Sequence, residues 1–208
     1  MVVGDVLDLS CVSSVLEGAK YVYHFGGVAD IAQAKANPLK SIEANVLGVA
    51  TALEACRSAK VDRFVYASTV YVYSPYGSFY RASKQAAETL IEAYSEQFKL
   101  DHTLLRYGSL YGPRAQDWNG LNSFITQIVQ SGKLEYFGTG EEKREHIHVE
   151  DAARLSAEII FAKEYINAAV TITGTQVYNS RELIDMIFEI SGKKPNVTMN
   201  LNEDSRNQ

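Results

Sequence analysis

Tyr80 and Lys84 stand four residues apart in GSFYRASKQAAE, residues 77–88. On a helix, residues i and i+4 share a face, so the Lys84 ammonium can lie beside the Tyr80 phenol. A free phenol titrates near 10, and a neighbouring cation favours the phenolate. Lowering it by about 3 pH units takes roughly 4 kcal/mol of preference for the charged form. Such a group would act as a general base toward a hydroxyl proton. Spacing alone does not establish that chemistry. With 13 Tyr and 11 Lys among 208 residues, chance yields about 0.7 such pairs. The surroundings have to decide.

Other chemically capable residues offer less. His146 and His148 alternate along an extended segment and face the same side, yet no third ligand lies nearby; packing and hydrogen bonding are expected of both, and no metal site. His24 reads as a core histidine with its hydrogen bonds satisfied. GTGEE (138–142) has the glycines of a phosphate loop but no helix after it, so it reads as a turn. Cys11 and Cys56 fall within helical patterns and read as buried thiols of a reducing compartment, which points to the cytoplasm.

The elements that position Tyr80 and Lys84 alternate between strand and helix patterns, as in a parallel sheet with crossover helices. Residues 20–25 (KYVYHF), 63–69 (RFVYAST), 102–107 (HTLLRY) and 169–174 (AVTITG) read as strands. A helix follows the first, with Asn37 as cap, Pro38 at its first position, and Ile42, Val46, Val49 and Leu53 as one buried stripe. Further helices are expected over 80–98, around 120–132, over 149–163, and from a Ser180 cap to a Gly192 stop. MVVGDVLDLS reads as the end of an apolar strand opening into a turn.

Composition sets outer limits. A net charge of −5 and a pI near 5.4 argue against nucleic acid, which needs a concentrated basic surface. No apolar run approaches the ~20 residues of a membrane-spanning helix, and no membrane association is expected. The hydrophobic fraction of 46% and charged fraction of 22% are those of an ordinary globular protein.

Taken in order, GDVLD (4–8), YHFGG (23–27), NVLGVATALEA (45–55), STVYVY (68–73), Tyr80 with Lys84, LRYGSLYGPR (105–114), REHIHVEDAA (144–153) and SRELIDMI (180–187) resemble the extended short-chain dehydrogenase/reductase family, in particular its nucleotide-sugar epimerases and dehydratases. The resemblance covers nearly the whole chain. It implies an α/β fold, a Rossmann-like doubly wound parallel sheet over 1–110 and 149–174, with a small substrate-binding α/β portion over 111–148 and 175–208. It implies NAD as cofactor, with NADP left open, and a nucleotide sugar as substrate. Thr69, Tyr80 and Lys84 would be catalytic: Thr69 bonded to the reacting hydroxyl, Tyr80 its base, Lys84 also holding the nicotinamide ribose. Ser68 is the nearest rival to Thr69. Cofactor contacts would come from Asp5, Val6, Phe25, Gly26, Gly27, Lys84 and Tyr107, the glycines letting backbone approach the phosphates. Substrate contacts would come from Tyr71, Ser109 and Arg144, whose guanidinium suits a diphosphate. The helices at 38–57 and 80–98 would pair across a two-fold axis in a homodimer, as a four-helix bundle.

Two departures shape the expectation. Dehydratases of this family carry an Asp-Glu pair directly after the catalytic Thr, where this chain has Val70 and Tyr71. An epimerase needs neither acid, since its keto sugar only turns over and takes the hydride back. A reductase of a keto sugar or sterol-like substrate, and a catalytically silent dinucleotide-fold module, are the other readings. The second departure is that no G-x-G-x-x-G occurs in the sequence. In a sheet of order 3-2-1-4-5-6 that turn follows the first strand and receives the pyrophosphate. The expectation is therefore a fragment of an enzyme of about 300 residues.

Overall fold

A computed structural model of the chain describes residues 1–200. These divide into two compact units, Met1–Tyr107 with Ser156–Thr171, and Gly108–Leu155 with the residues from Ile172 onward.

The first unit is built on a sheet of order β1-β2-β3-β7. Its strands are β1 (Tyr21–His24), β2 (Arg63–Thr69), β3 (Asp101–Tyr107) and β7 (Ala168–Ile172). β1–β2 and β2–β3 are parallel, with Tyr66 opposite His24 and Thr69 opposite Tyr107. β2 is buried along nearly its whole length, which is why its middle, Phe64–Ala67, reads as an apolar run rather than an alternating one. Parallel neighbours need crossover helices: α2 (Ile31–Ala36), α3 (Pro38–Ile42) and α4 (Gly48–Ala59) lie between β1 and β2, and α5 (Ser78–Phe98) between β2 and β3, while α1 (Leu9–Val15) precedes β1 and packs on α4. Val49, Leu53 and Cys56 from α4, Ile91 from α5, and Phe64, Tyr66 and Leu104 from the strands make one buried core.

Several local expectations change. Residues 1–5 form no strand, and Val2 and Val3 are exposed; Asp8 instead caps α1, accepting from the Ser10 and Cys11 N–H groups. Asn37 makes no side-chain cap, because its backbone already closes α2. Between α3 and α4 a π turn, Glu43–Leu47, inserts one extra residue into the helix. That insertion rotates the stripe, so Ile42 is 44% exposed while Asn45 is buried. Cys11 is half-buried rather than buried, and both thiols are free.

The second unit contains a sheet of order β4-β6-β8, from β4 (Ser109–Tyr111), β6 (Lys143–His148) and β8 (Val177–Asn179), and a parallel pair of β5 (Leu134–Phe137) with β9 (Val197–Asn200). Its helices are α6 (Gly120–Ser131), most of α7 (Val149–Glu158, passing into the first unit at Ser156) and α8 (Ser180–Ser191). α7 ends five residues short of the expected 163, in 3-10 turns. The cap of α8 is Asn179, not Ser180, through a reciprocal capping box with Glu182. Ile128, Leu134, Tyr136, Ile184 and Phe188 form this unit's core.

Candidate active site

In an open parallel sheet the crevice beyond the carboxyl ends of the strands is where ligands bind. Three of the first unit's strands end together: β1 runs into Phe25-Gly26-Gly27, β2 ends at Thr69 and β3 at Tyr107. α5 lies against β2 and β3, and its Tyr80 and Lys84 are 8% and 6% exposed. The helix opens with two left-handed residues, Gly77 (φ 98°) and Ser78 (φ 46°). A Cβ at Gly77 would come within 2.9 Å of the Tyr71 ring and 3.1 Å of Arg81 Cβ. The glycine therefore lets Tyr71 settle edge-on against Tyr80, with ring centroids 6.2 Å apart.

Lys84 Nζ donates to the Ala67 carbonyl at 2.8 Å and lies 4.7 Å from the Tyr66 ring and 6.0 Å from the Tyr80 ring. Burial pushes the ammonium down to about 8, with Glu88 opposing. Burial also raises the Tyr80 phenol, the Thr69 hydroxyl acting the other way. The protein's own groups thus do not bring Tyr80 below its ordinary value, contrary to what a nearby Lys84 led one to expect. Ser68 and Thr69 have separate roles: Ser68 bonds Glu88, whereas Thr69 serves Tyr80 and accepts the Tyr71 N–H at 3.2 Å.

Asn45, which the sequence reading left without a role, closes the site from behind. Its Oδ1 accepts the Val28 N–H at 2.7 Å; its Nδ2 donates to the Val28 carbonyl at 2.9 Å and to Ser83 Oγ at 3.0 Å. Ser83 in turn donates to the Tyr80 carbonyl at 2.8 Å. The signal was an asparagine inside an apolar stripe, where a polar group must find partners. Gly27 belongs to the same bracket. Its φ is 140°, and a Cβ there would stand 2.4 Å from Asn45 Oδ1. Gly26 has open space, with the His24 ring 3.9 Å away.

His24 is buried, as expected, but its Nε2 has no hydrogen-bond partner among the described residues. Burial first, and Lys84 second, push it down to about 4, so it is neutral. Phe25 is 59% exposed and stacks on Tyr23 at 6.0 Å. Tyr107 is half-buried, its hydroxyl 2.6 Å from Ser156 Oγ. Asp5 is exposed, and its Oδ1 accepts the Leu7 N–H at 2.9 Å, closing a turn. Val6 packs on α4, where a Cβ at Gly48 would approach within 2.9 Å of its Cγ1.

In the second unit, Ser109 pairs with His146, and Arg144 is half-buried opposite Tyr178. His148 packs edge-on against Tyr111. The 138–142 loop is a turn held by its own carboxylate. Glu142 accepts the Thr139 and Gly140 N–H groups at 2.7 and 2.8 Å and the Tyr136 hydroxyl at 2.6 Å. Burial alone would raise Glu142, but these bonds hold it down at about 2.

The family model of the NAD dependent epimerase/dehydratase family matches residues 1–170. The chain belongs to that family. It is 27% identical over 199 residues to the uncharacterized UDP-glucose epimerase YtcB of Bacillus subtilis (strain 168), covering 88% of this chain and 62% of that protein. Among solved structures it is similar to the UDP-glucuronic acid 4-epimerase of Bacillus cereus in complex with UDP-glucuronic acid and NAD, with a TM-score of 0.89 and 25% identity over 96% of this chain and 68% of that one. It is also similar to a double mutant of DesIV, the dTDP-glucose 4,6-dehydratase of Streptomyces venezuelae, with NAD and DAU bound: TM-score 0.86, 25% identity, 95% and 66% covered. The α/β fold is the Rossmann-like one of these epimerases and dehydratases. The chain spans 62% of the length of YtcB, and 49% and 60% of two dTDP-glucose dehydratases.

Proposed function

We propose that this protein is an NAD-dependent nucleotide-sugar epimerase that works through a transient keto sugar. The observation that carries the reading is a gathered Thr69, Tyr80 and Lys84 with Val70 and Tyr71, neither an acid, directly after Thr69. Tyr80 takes the proton of a ring hydroxyl and later returns it; Thr69 orients that hydroxyl; Tyr71 walls the pocket. NAD, when bound, supplies the hydride acceptor and the positive charge that favours the phenolate.

The residues fit that cofactor. An ammonium has three donors, and among the described residues Lys84 bonds one acceptor, Ala67 O, which leaves donors for a ribose diol. Phe25, Gly26, Gly27 and Tyr107 would line its path, with Asp5 and Val6 toward the adenine. Arg144 and Ser109 are the second unit's candidates for the nucleotide diphosphate. A homodimer through the helical segments 38–57 and 80–98 goes with this reading, supported by Leu47 in the π turn and Phe98 at the end of α5, which are 54% and 46% exposed; so does a cytoplasmic location, with two free thiols.

The test is the product that the purified natural protein forms from UDP-glucose and dTDP-glucose with NAD. A product of unchanged mass, inverted at one ring carbon with no net NADH, is expected. Steady loss of water would overturn the epimerase reading, because Val70 and Tyr71 cannot shuttle the protons of dehydration.

A further inference from the structure

Glu88 follows Tyr80 and Lys84 along α5 at the same four-residue interval and is 6% exposed. A carboxylate so buried must be paired, and its partners come from the two strands that end at the site. Ser68 Oγ donates to Oε1. Arg106 donates its Nε–H to Oε1 at 3.0 Å and its Nη2–H to Oε2 at 2.6 Å. Each partner immediately precedes a site residue, Ser68 before Thr69 and Arg106 before Tyr107. Arg106 also bonds the Tyr73 hydroxyl, with Cζ 4.7 Å from that ring's centroid, and so reaches the segment after Thr69.

We propose that Glu88 is a positioning residue for the Thr69–Tyr80–Lys84 site, tying α5 to the ends of β2 and β3 and setting a negative charge one turn from the Lys84 ammonium. The inference rests on the reading of Lys84 as a working group of that site. The titratable and charged groups around Lys84 are His24 from β1, Tyr66 from β2, and Tyr80 and Glu88 from α5. Around Glu88 they are Tyr66 from β2, Arg106 and His102 from β3, Tyr73 beyond β2, and Lys84 and Glu92 on its own helix. Glu88 is the one anion acting on Lys84 among the described residues, against a burial that favours the neutral amine.

The test is carbon-13 NMR of the Lys84 ε-carbon, followed against pH with no cofactor or sugar added. In Glu88→Gln the Lys84 midpoint should fall by on the order of one pH unit, whereas Glu88→Asp, which keeps the charge, should hold it near the native value. An unchanged midpoint in Glu88→Gln overturns the proposal. Glu88→Gln leaves the half-buried Arg106 without its counter-ion, which can unfold a protein. In that event the double variant Glu88→Gln/Arg106→Gln, which removes the nearby anion together with a cation that does not act on Lys84 directly, should still lower the midpoint, though by less than the single variant, and an unchanged midpoint overturns the proposal. Because no substrate is present, the result is independent of whether the protein turns over any nucleotide sugar.

Discussion

Asn45→Ala should destabilise the protein by about 2–3 kcal/mol, and the number follows from the bracket that this side chain closes. Asn45 is 1% exposed and makes three hydrogen bonds, to the Val28 N–H, the Val28 carbonyl and Ser83 Oγ. Net contributions of about 1 kcal/mol each give roughly 3 kcal/mol. Val28 is half-buried, so water can take over part of its bonding, and Ser83 keeps its bond to the Tyr80 carbonyl. Against that relief, the vacated amide leaves a small cavity worth about 1 kcal/mol. Urea unfolding at fixed pH should show the midpoint falling with little change in slope. Hydrogen exchange should show the Val28 amide losing more protection than the β2 amides. A loss under about 1 kcal/mol with Val28 protection unchanged would refute the bracket.

Gly77→Ala meets both a φ of 98° and a contact of 2.9 Å with the Tyr71 ring, so a loss of about 1–3 kcal/mol is expected in thermal unfolding; a neutral substitution would contradict the packing of Tyr71 on Tyr80. Glu142 is held at about 2 against an ordinary 4.5, by hydrogen bonds that outweigh its burial. A carboxylate lowered on folding contributes stability that is fully present above pH 4.5 and fades as pH falls toward 2. Urea midpoints should therefore separate wild type from Glu142→Gln at pH 7, with the gap narrowing below pH 4.5 and closing only as pH falls through about 2. A gap that widens in acid would contradict the clamp.

What was legible in the sequence follows from how each element is buried. β2 and β3 lie in the sheet interior, so both carry an apolar centre with no alternation, Phe64–Ala67 and Leu104–Leu105. α5 carries its buried face at a regular interval from Tyr80 through Ile91, which periodicity detects. The Tyr80–Lys84 pair was visible for the same reason. Asn45 left a signal, a polar residue within an apolar stripe, but its partners Val28 and Ser83 lie 17 and 38 residues away and only the fold brings them together. His24 was placed in the core correctly, but its unpartnered Nε2 depends on which rings surround it, Phe64 and Tyr66 from the next strand. Glu88 and Arg106 sit 18 residues apart, and only the β2–α5–β3 crossover joins them. The α8 cap was missed although Asn179 and Glu182 stand at capping-box spacing; Ser180 beside them is an equally good cap by residue type.

The central claim is that Tyr80 is the acid and base of an epimerisation. Turnover of UDP-glucose by the natural protein and by Tyr80→Phe, with NAD binding followed by calorimetry on both, tests it most directly. Losing the proton acceptor alone should lower kcat by at least about 100-fold while leaving NAD affinity in place. A Tyr80→Phe protein that retained most of its epimerase activity would contradict the account.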